Sequence, residues 1–416
     1  MDCGYFATNR LSAHVIHPPW FVRWLLSPSG IPSWTGFILT SLPLVSLGFQ
    51  PLFAVQVPTD LCRIEVRSGP TLGALEDPAS VSDPAGFDVA PTPAADGWVV
   101  GDPVQEYVLS YDSDGQFRGR YLPSGEGPGE VRVAARTALD ASDSLWVASG
   151  RGRAVVVGAD GGSRTIVSPE QYGVDGHTPS GLPFATLFWL DLDDQGAVVP
   201  GSFALGAIVM DREGNALWTL GPVRQSSGGH TMPPQRSAQP LGLAAMGDSV
   251  LWGTTYRGSE PDTWVARWTV EGAEALVRTG DVAAILGERT SELRSPFDGY
   301  VLGLTPDGSG GAWGLARSPA VSEREEEEIR REYIESLGED QRPTTPAVTH
   351  HPSVANRVYR TLLFHLSSDA EVTDAILLDG MARGFADREH FYTLRETDEG
   401  VLQVQIWEFS RRCADR

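Results

Sequence analysis

The residues of this chain that could do chemistry are scattered. His177, His230, His350 and His351 could together hold a metal ion, but they show no local metal-ligand spacing. Asp191-Leu-Asp-Asp-Gln-Gly196 begins like a calcium loop, yet its twelfth position is Ser202, where a bidentate Glu is needed. It reads more simply as a hairpin turn. The chain contains no Gly-x-Ser-x-Gly elbow, no H-E-x-x-H and no Walker loop. All 32 basic residues are Arg, which excludes Schiff-base and P-loop lysine chemistry. On this reading no catalytic residue, metal ligand or cofactor is assigned.

The elements that must position any site are short and turn-rich. Of 416 residues, 46 are Gly and 30 are Pro, a share that suits many tight turns better than helices. A formal charge of −22 disfavours nucleic acid or an anionic membrane as partner, because both repel it. Residues 1–54 differ from the rest. Arg10 and Arg23 precede the apolar, uncharged stretch 37–54, the order of an export signal. Residues 55–416 then form the exported body. Cys62 and Cys413 flank it, and an oxidising compartment would let them pair.

One unit recurs through that body: an apolar strand, a turn holding Asp or Gly, then a strand opening on an aromatic or Val. Its equivalent second-strand positions are Trp98, Trp146, Val198, Trp252, Trp313 and Tyr392. Third and fourth strands follow, joined by turns such as Asp112-Ser-Asp-Gly115 and Asp211-Arg-Glu-Gly214, whose left-handed residue makes a hairpin. Four antiparallel strands repeated six times make an all-β, six-bladed β-propeller. The sixth unit ends at its third strand, 401–409, while the strand Cys62–Arg67 is left over at the other end. A ring must close or expose sheet edges, so the N-terminal strand completes blade six. That brings Cys62 beside Cys413 and predicts a disulfide between them.

The tract Tyr111-Asp-Ser-Asp-Gly-Gln-Phe-Arg-Gly-Arg-Tyr-Leu-Pro-Ser-Gly-Glu-Gly-Pro-Gly-Glu130, with Asp143-Ser-Leu-Trp-Val147, resembles the exported six-bladed β-propeller family related to NHL repeats. The resemblance spans about 62–410 and departs in blade five, where an insertion of about 318–355 intervenes. It implies a ring and export; it implies no reaction, because this fold hosts scaffolds, sensors and enzymes alike. Within the insertion, Ser322 and Glu325 predict a capping box and a helix over 323–337. Ion pairs Glu326–Arg330 and Glu327–Arg331, an apolar stripe of Ile329, Tyr333 and Leu337, and Gly338 as terminator complete it.

The long links, 122–136, 168–185, 221–239 and 280–298, and the insertion emerge on one face, where binding usually lives. The expected function is a non-catalytic exported binding or interaction propeller, its unknown ligand a small molecule, glycan or protein. Gly125, Glu126, Gly127, Pro128, Gly129, Glu130, His177 and His230 are the candidate binding residues. A monomer is expected, with no membrane contact after signal removal. The alternative is a hydrolase or lyase with a divalent metal in the axial channel, held by residues such as Asp88, Asp140 and Asp191. Converging carboxylates there would favour the enzyme; an apolar channel would favour the binder.

Overall fold

Several hairpins begin from the same local chemistry. In Asp112–Gln116, Asp112 Oδ1 accepts from the N–H groups of Asp114 and Gln116, while the backbone closes from Gly115 to the Asp112 carbonyl. Gly115 takes φ 86°, the left-handed conformation this turn requires. The pattern returns at Asp140–Ser144, Asp211–Asn215 and Asp307–Gly311. An aspartate side chain thus replaces water at the turn amides and fixes where these strands reverse.

The computed structural model describes residues 62–413 apart from internal stretches, the longer being 168–173, 193–203, 222–229, 237–242, 255–262, 279–299 and 338–344. The export signal expected over 1–54 lies outside the described residues. Six antiparallel sheets follow one another as blades, with four strands in each blade's main path. Their innermost strands are Asp88–Pro91, Ala134–Leu139, Gly176–His177, Leu243–Gly247, Tyr300–Pro306 and Ala382–Phe385. Blade six takes its outer strand from the N-terminus: Arg63–Leu72 pairs with Leu402–Arg412, Arg63 opposite Arg412. One step beyond that pair, Cys62 and Cys413 form the expected disulfide, with Cα atoms 3.9 Å apart.

The same seam holds a bulge. Ser68 faces Trp407 and Thr71 faces Gln405, so Gly69 and Pro70 together oppose the single residue Ile406. Proline is tolerated there because an edge bulge needs no ladder N–H. The buried Gln405 side chain fills the gap, donating to Gly69 O at 2.9 Å and accepting from Thr71 Oγ1 at 2.7 Å.

The core consists of apolar layers between successive blades. Trp146 packs with Ala185, Ile208 and Met210 between blades two and three. Trp252 joins blade four to Val301 and Leu304 of blade five, and Trp313 joins five to Phe391 and Phe409 of six. Tyr392 closes the circle against Val89 and Val100 of blade one.

Two repeat positions need correction. Trp98 is buried, but it faces back onto blade six, its ring 5.1 Å from that of His390. The turn Thr92–Gly97 carries one residue more than its counterparts, with Ala95 at φ 51°, so Val99 takes the forward-facing place. In blade three the second strand is Pro183–Trp189, paired with Ala204–Met210, and Phe184 takes the place expected for Val198. Val198 itself lies outside the described residues.

The blade-five insertion joins the second strand to the third, and its first helix is Glu323–Ser336. Ser322 and Glu325 form the capping box, and Glu326–Arg330 pairs as expected. Arg324–Glu328 is an additional helix pair, at 3.1 Å. Two short helices, Thr345–His350 and Pro352–Val358, follow it. Ile329, Val348, Val354, Ala355 and Val358 pack together with Tyr359 and Met381. The insertion is therefore anchored on blades five and six, at the end where the inner strands begin.

Candidate ligand channel

The inner strands of all six blades surround an axial cavity of about 930 Å³. Its wall is small or apolar over much of its length. Charges from different blades interrupt it at two levels: Asp140, Asp143, Asp387, Arg388 and Glu389 line the end where the inner strands finish, and a second set lies where they begin. Asp88 opens the inner strand of blade one, Arg136 lies in that of blade two, Asp175 immediately precedes that of blade three, and Arg383 lies in that of blade six.

Asp88 is buried. Its carboxylate accepts from the N–H groups of Thr137 at 2.8 Å and Val89 at 3.0 Å, and from the Tyr392 hydroxyl at 2.9 Å. Burial pushes its carboxyl above the ordinary value, against the opposing pull of Arg136 and these hydrogen bonds. Burial and the adjacent carboxylate likewise raise the Tyr392 phenol well above its ordinary value. Asp175 accepts from the Thr186 N–H at 2.6 Å.

Its other oxygen stands 3.9 Å from Arg136 Nε, an ion pair too long for a hydrogen bond. The Arg136 side chain is only 20% exposed, and among the described residues it has no hydrogen-bond acceptor. Arg383 is held differently: it donates to the His350 carbonyl and lies 3.3 Å from the His350 ring, tying the insertion to the channel wall.

One residue past Gly176, His177 also lines the cavity. Asp175 and His177 share a strand face, so they stand about 7 Å apart along blade three. The His177 ring packs against Trp146 with centroids 4.5 Å apart. Both its nitrogens are buried and, among the described residues, unpartnered. Burial lowers its pKa to about 4, despite the opposing charge of Asp140. Leaving such groups unpaired costs about 1–3 kcal/mol.

Of the expected binding residues whose side chains are described, only His177 lines the channel; Asp88 and Asp140, weighed as metal ligands, line it as well. His230 pairs through its backbone with Leu192. His350 meets Arg383, while His351 stacks on Tyr333 at 4.6 Å, so neither joins His177. The tract Gly125–Glu130 turns its polar groups on itself and on blade two. Glu130 accepts from the Gly127 N–H at 2.7 Å, Gly129 N–H reaches Thr165 Oγ1 at 3.2 Å, and Arg153 donates to the Gly127 carbonyl. Gly125 takes φ 153°, a backbone conformation that other residues rarely adopt, and a Cβ there would also press on the Glu130 carboxylate. Glu126 pairs with Arg132 at 2.6 Å on the surface.

Of the three carboxylates weighed as metal ligands, Asp88 and Asp140 do not converge. Asp88 opens its strand, whereas Asp140 closes the opposite end and binds its own turn and Trp146 Nε1 at 2.9 Å. The Asp191 side chain lies outside the described residues. Among the described residues no three His, Cys, Asp or Glu are grouped to hold a metal, and no helix is long and apolar enough to cross a membrane.

Arg136, Asp175 and Arg383 were missed from sequence. Their signal is a lone charge at the head of a small or apolar inner strand, as in Ala135-Arg136-Thr, Val174-Asp175-Gly and Ala382-Arg383-Gly.

No protein-family model matches this chain, and no curated protein does. Among solved structures, it is similar to a gluconolactonase from Xanthomonas campestris, at 14% identity and TM-score 0.39, covering 83% of this chain and 98% of that one. It is similar to an exported protein of Bacteroides fragilis, at 8% identity and TM-score 0.42, covering 83% and 95%. BamB of Moraxella catarrhalis matches at 11% identity and TM-score 0.35, covering 83% and 100%.

Proposed function

We propose that this propeller is an exported binding protein that takes a small anion, a carboxylate or similar group, into its axial channel, at the charged level where the inner strands begin. The observation that carries this reading is Arg136: largely buried, lining the cavity, and 3.9 Å from the nearest paired carboxylate oxygen. A guanidinium presents five donors in a fixed fork that matches a carboxylate bidentately. Arg383 supplies a second cation in the same wall. The Cys62–Cys413 disulfide fits an oxidising compartment and hence export.

Thermal denaturation across a panel of small mono- and dicarboxylates tests the reading. A ligand at a hundred times its Kd raises stability by about 2.7 kcal/mol. The reading expects such a shift in the parent protein and its loss in Arg136→Gln. A panel that leaves the parent protein unmoved, or moves both proteins alike, rejects it.

A further inference from the structure

We infer that His177 forms a second, neutral subsite in the same channel, which recognises a hydroxyl group on the ligand held at Arg136. This deepens the proposed anion-binding role and rests on it. Three observations carry it. His177 lines the cavity, and its strand places it about 7 Å beyond Asp175, the partner of Arg136. Both of its ring nitrogens lack a partner among the described residues. Its neighbours give it no competing role: Trp146 offers a ring face, and both Asp140 oxygens are already engaged by the Asp140 turn and Trp146 Nε1.

A neutral imidazole presents one N–H donor and one bare acceptor. A hydroxyl is the group that can answer both, because it also donates and accepts. Both nitrogens are buried in the channel wall. The histidine χ2 torsion is broad, so a modest turn of the ring brings one of them to the ligand. A carboxylate at Arg136 and a hydroxyl at His177 define the ligand class as hydroxylated small acids.

Matched acids test this: malate against succinate, and citrate against tricarballylate, titrated by calorimetry. The parent protein is expected to bind the hydroxylated member at least tenfold more tightly. In His177→Phe the ratio should collapse toward one while succinate affinity holds. His177→Gln, which keeps a donor and an acceptor, should restore part of the preference. Equal affinities in the parent protein, or a ratio unchanged in His177→Phe, would overturn the subsite.

Xylitol, a neutral polyol, separates this test from that of the anion site. Its addition should shift the His177 ring nitrogen resonances in the parent protein and in Arg136→Gln alike. If no acid binds, the anion reading falls and the xylitol shift alone decides the subsite. Unmoved ring resonances then overturn it.

Discussion

Tyr392 of blade six donates its hydroxyl to Asp88 of blade one at 2.9 Å, joining residues 304 apart in sequence where the last blade meets the first. The bond lies on the channel wall, and both partners are buried. It therefore serves the closure of the ring and the electrostatics of the channel together. Removing the hydroxyl leaves Asp88 only its backbone donors. Tyr392→Phe should destabilise the protein by about 1–3 kcal/mol and raise the Asp88 carboxyl further. Thermal denaturation with carboxyl-resolved NMR titration checks both; an unchanged melting temperature would mean that the bond adds no net stability.

The outer edge of the same blade is closed by Cys62–Cys413, at a sequence separation of 351. The chain-entropy model assigns about 5–6 kcal/mol to so long a loop, an upper figure that native strain erodes. Cys413→Ser should lower the melting temperature and increase amide exchange first in Arg63–Leu72 and Leu402–Arg412. Exchange rising evenly over all six blades would show that the bond does not guard this seam.

Gln405 spans the bulge at Gly69 and Pro70. A Leu there would keep volume but strand the Thr71 hydroxyl and the bulge carbonyls. Gln405→Leu should cost about 1–3 kcal/mol, read as a lower denaturant midpoint. A neutral result would place the amide's role in water's hands.

His177 makes stability depend on pH with a definite sign. Its folded pKa, about 4, lies below the ordinary value of 6.5 because burial disfavours the charged ring. The folded state therefore resists the proton that the unfolded chain accepts. The neutral ring's contribution is complete above pH 6.5 and is lost as the pH falls from 6.5 toward 4. The full swing is about 3 kcal/mol. Asp140 opposes the shift and Trp146 screens the ring. The stability difference between the parent protein and His177→Phe should thus change across that window and flatten below it. A constant difference from pH 4 to 7 would show an ordinary histidine.

What could be read from sequence follows from the range of each interaction. Turns such as Asp112–Gln116 are built by side chains two and four residues away, so the hairpins, and from their repetition the six blades, were legible. The closure by Arg63–Leu72 was legible because one strand was missing and one was spare. Val99 and Phe184 were misplaced because a single extra turn residue reverses a strand's faces, and because the inner strand of blade three is only Gly176–His177. The Gly125–Glu130 tract drew attention through composition, yet Glu130 is occupied with Gly127. The charged level where the inner strands begin was missed for another reason. Arg136, Asp175 and Arg383 come from three blades, and no local pattern connects them.

The account stands most directly on the anion site. A crystal structure of the protein with 2,3-dibromosuccinate, located by anomalous scattering of bromine, tests it in one measurement. The account predicts bromine peaks inside the axial cavity, with a carboxylate within hydrogen-bond distance of the Arg136 guanidinium. Bromine peaks confined to the outer surface, with the cavity free of ligand and Arg136 unmoved beside Asp175, would contradict it.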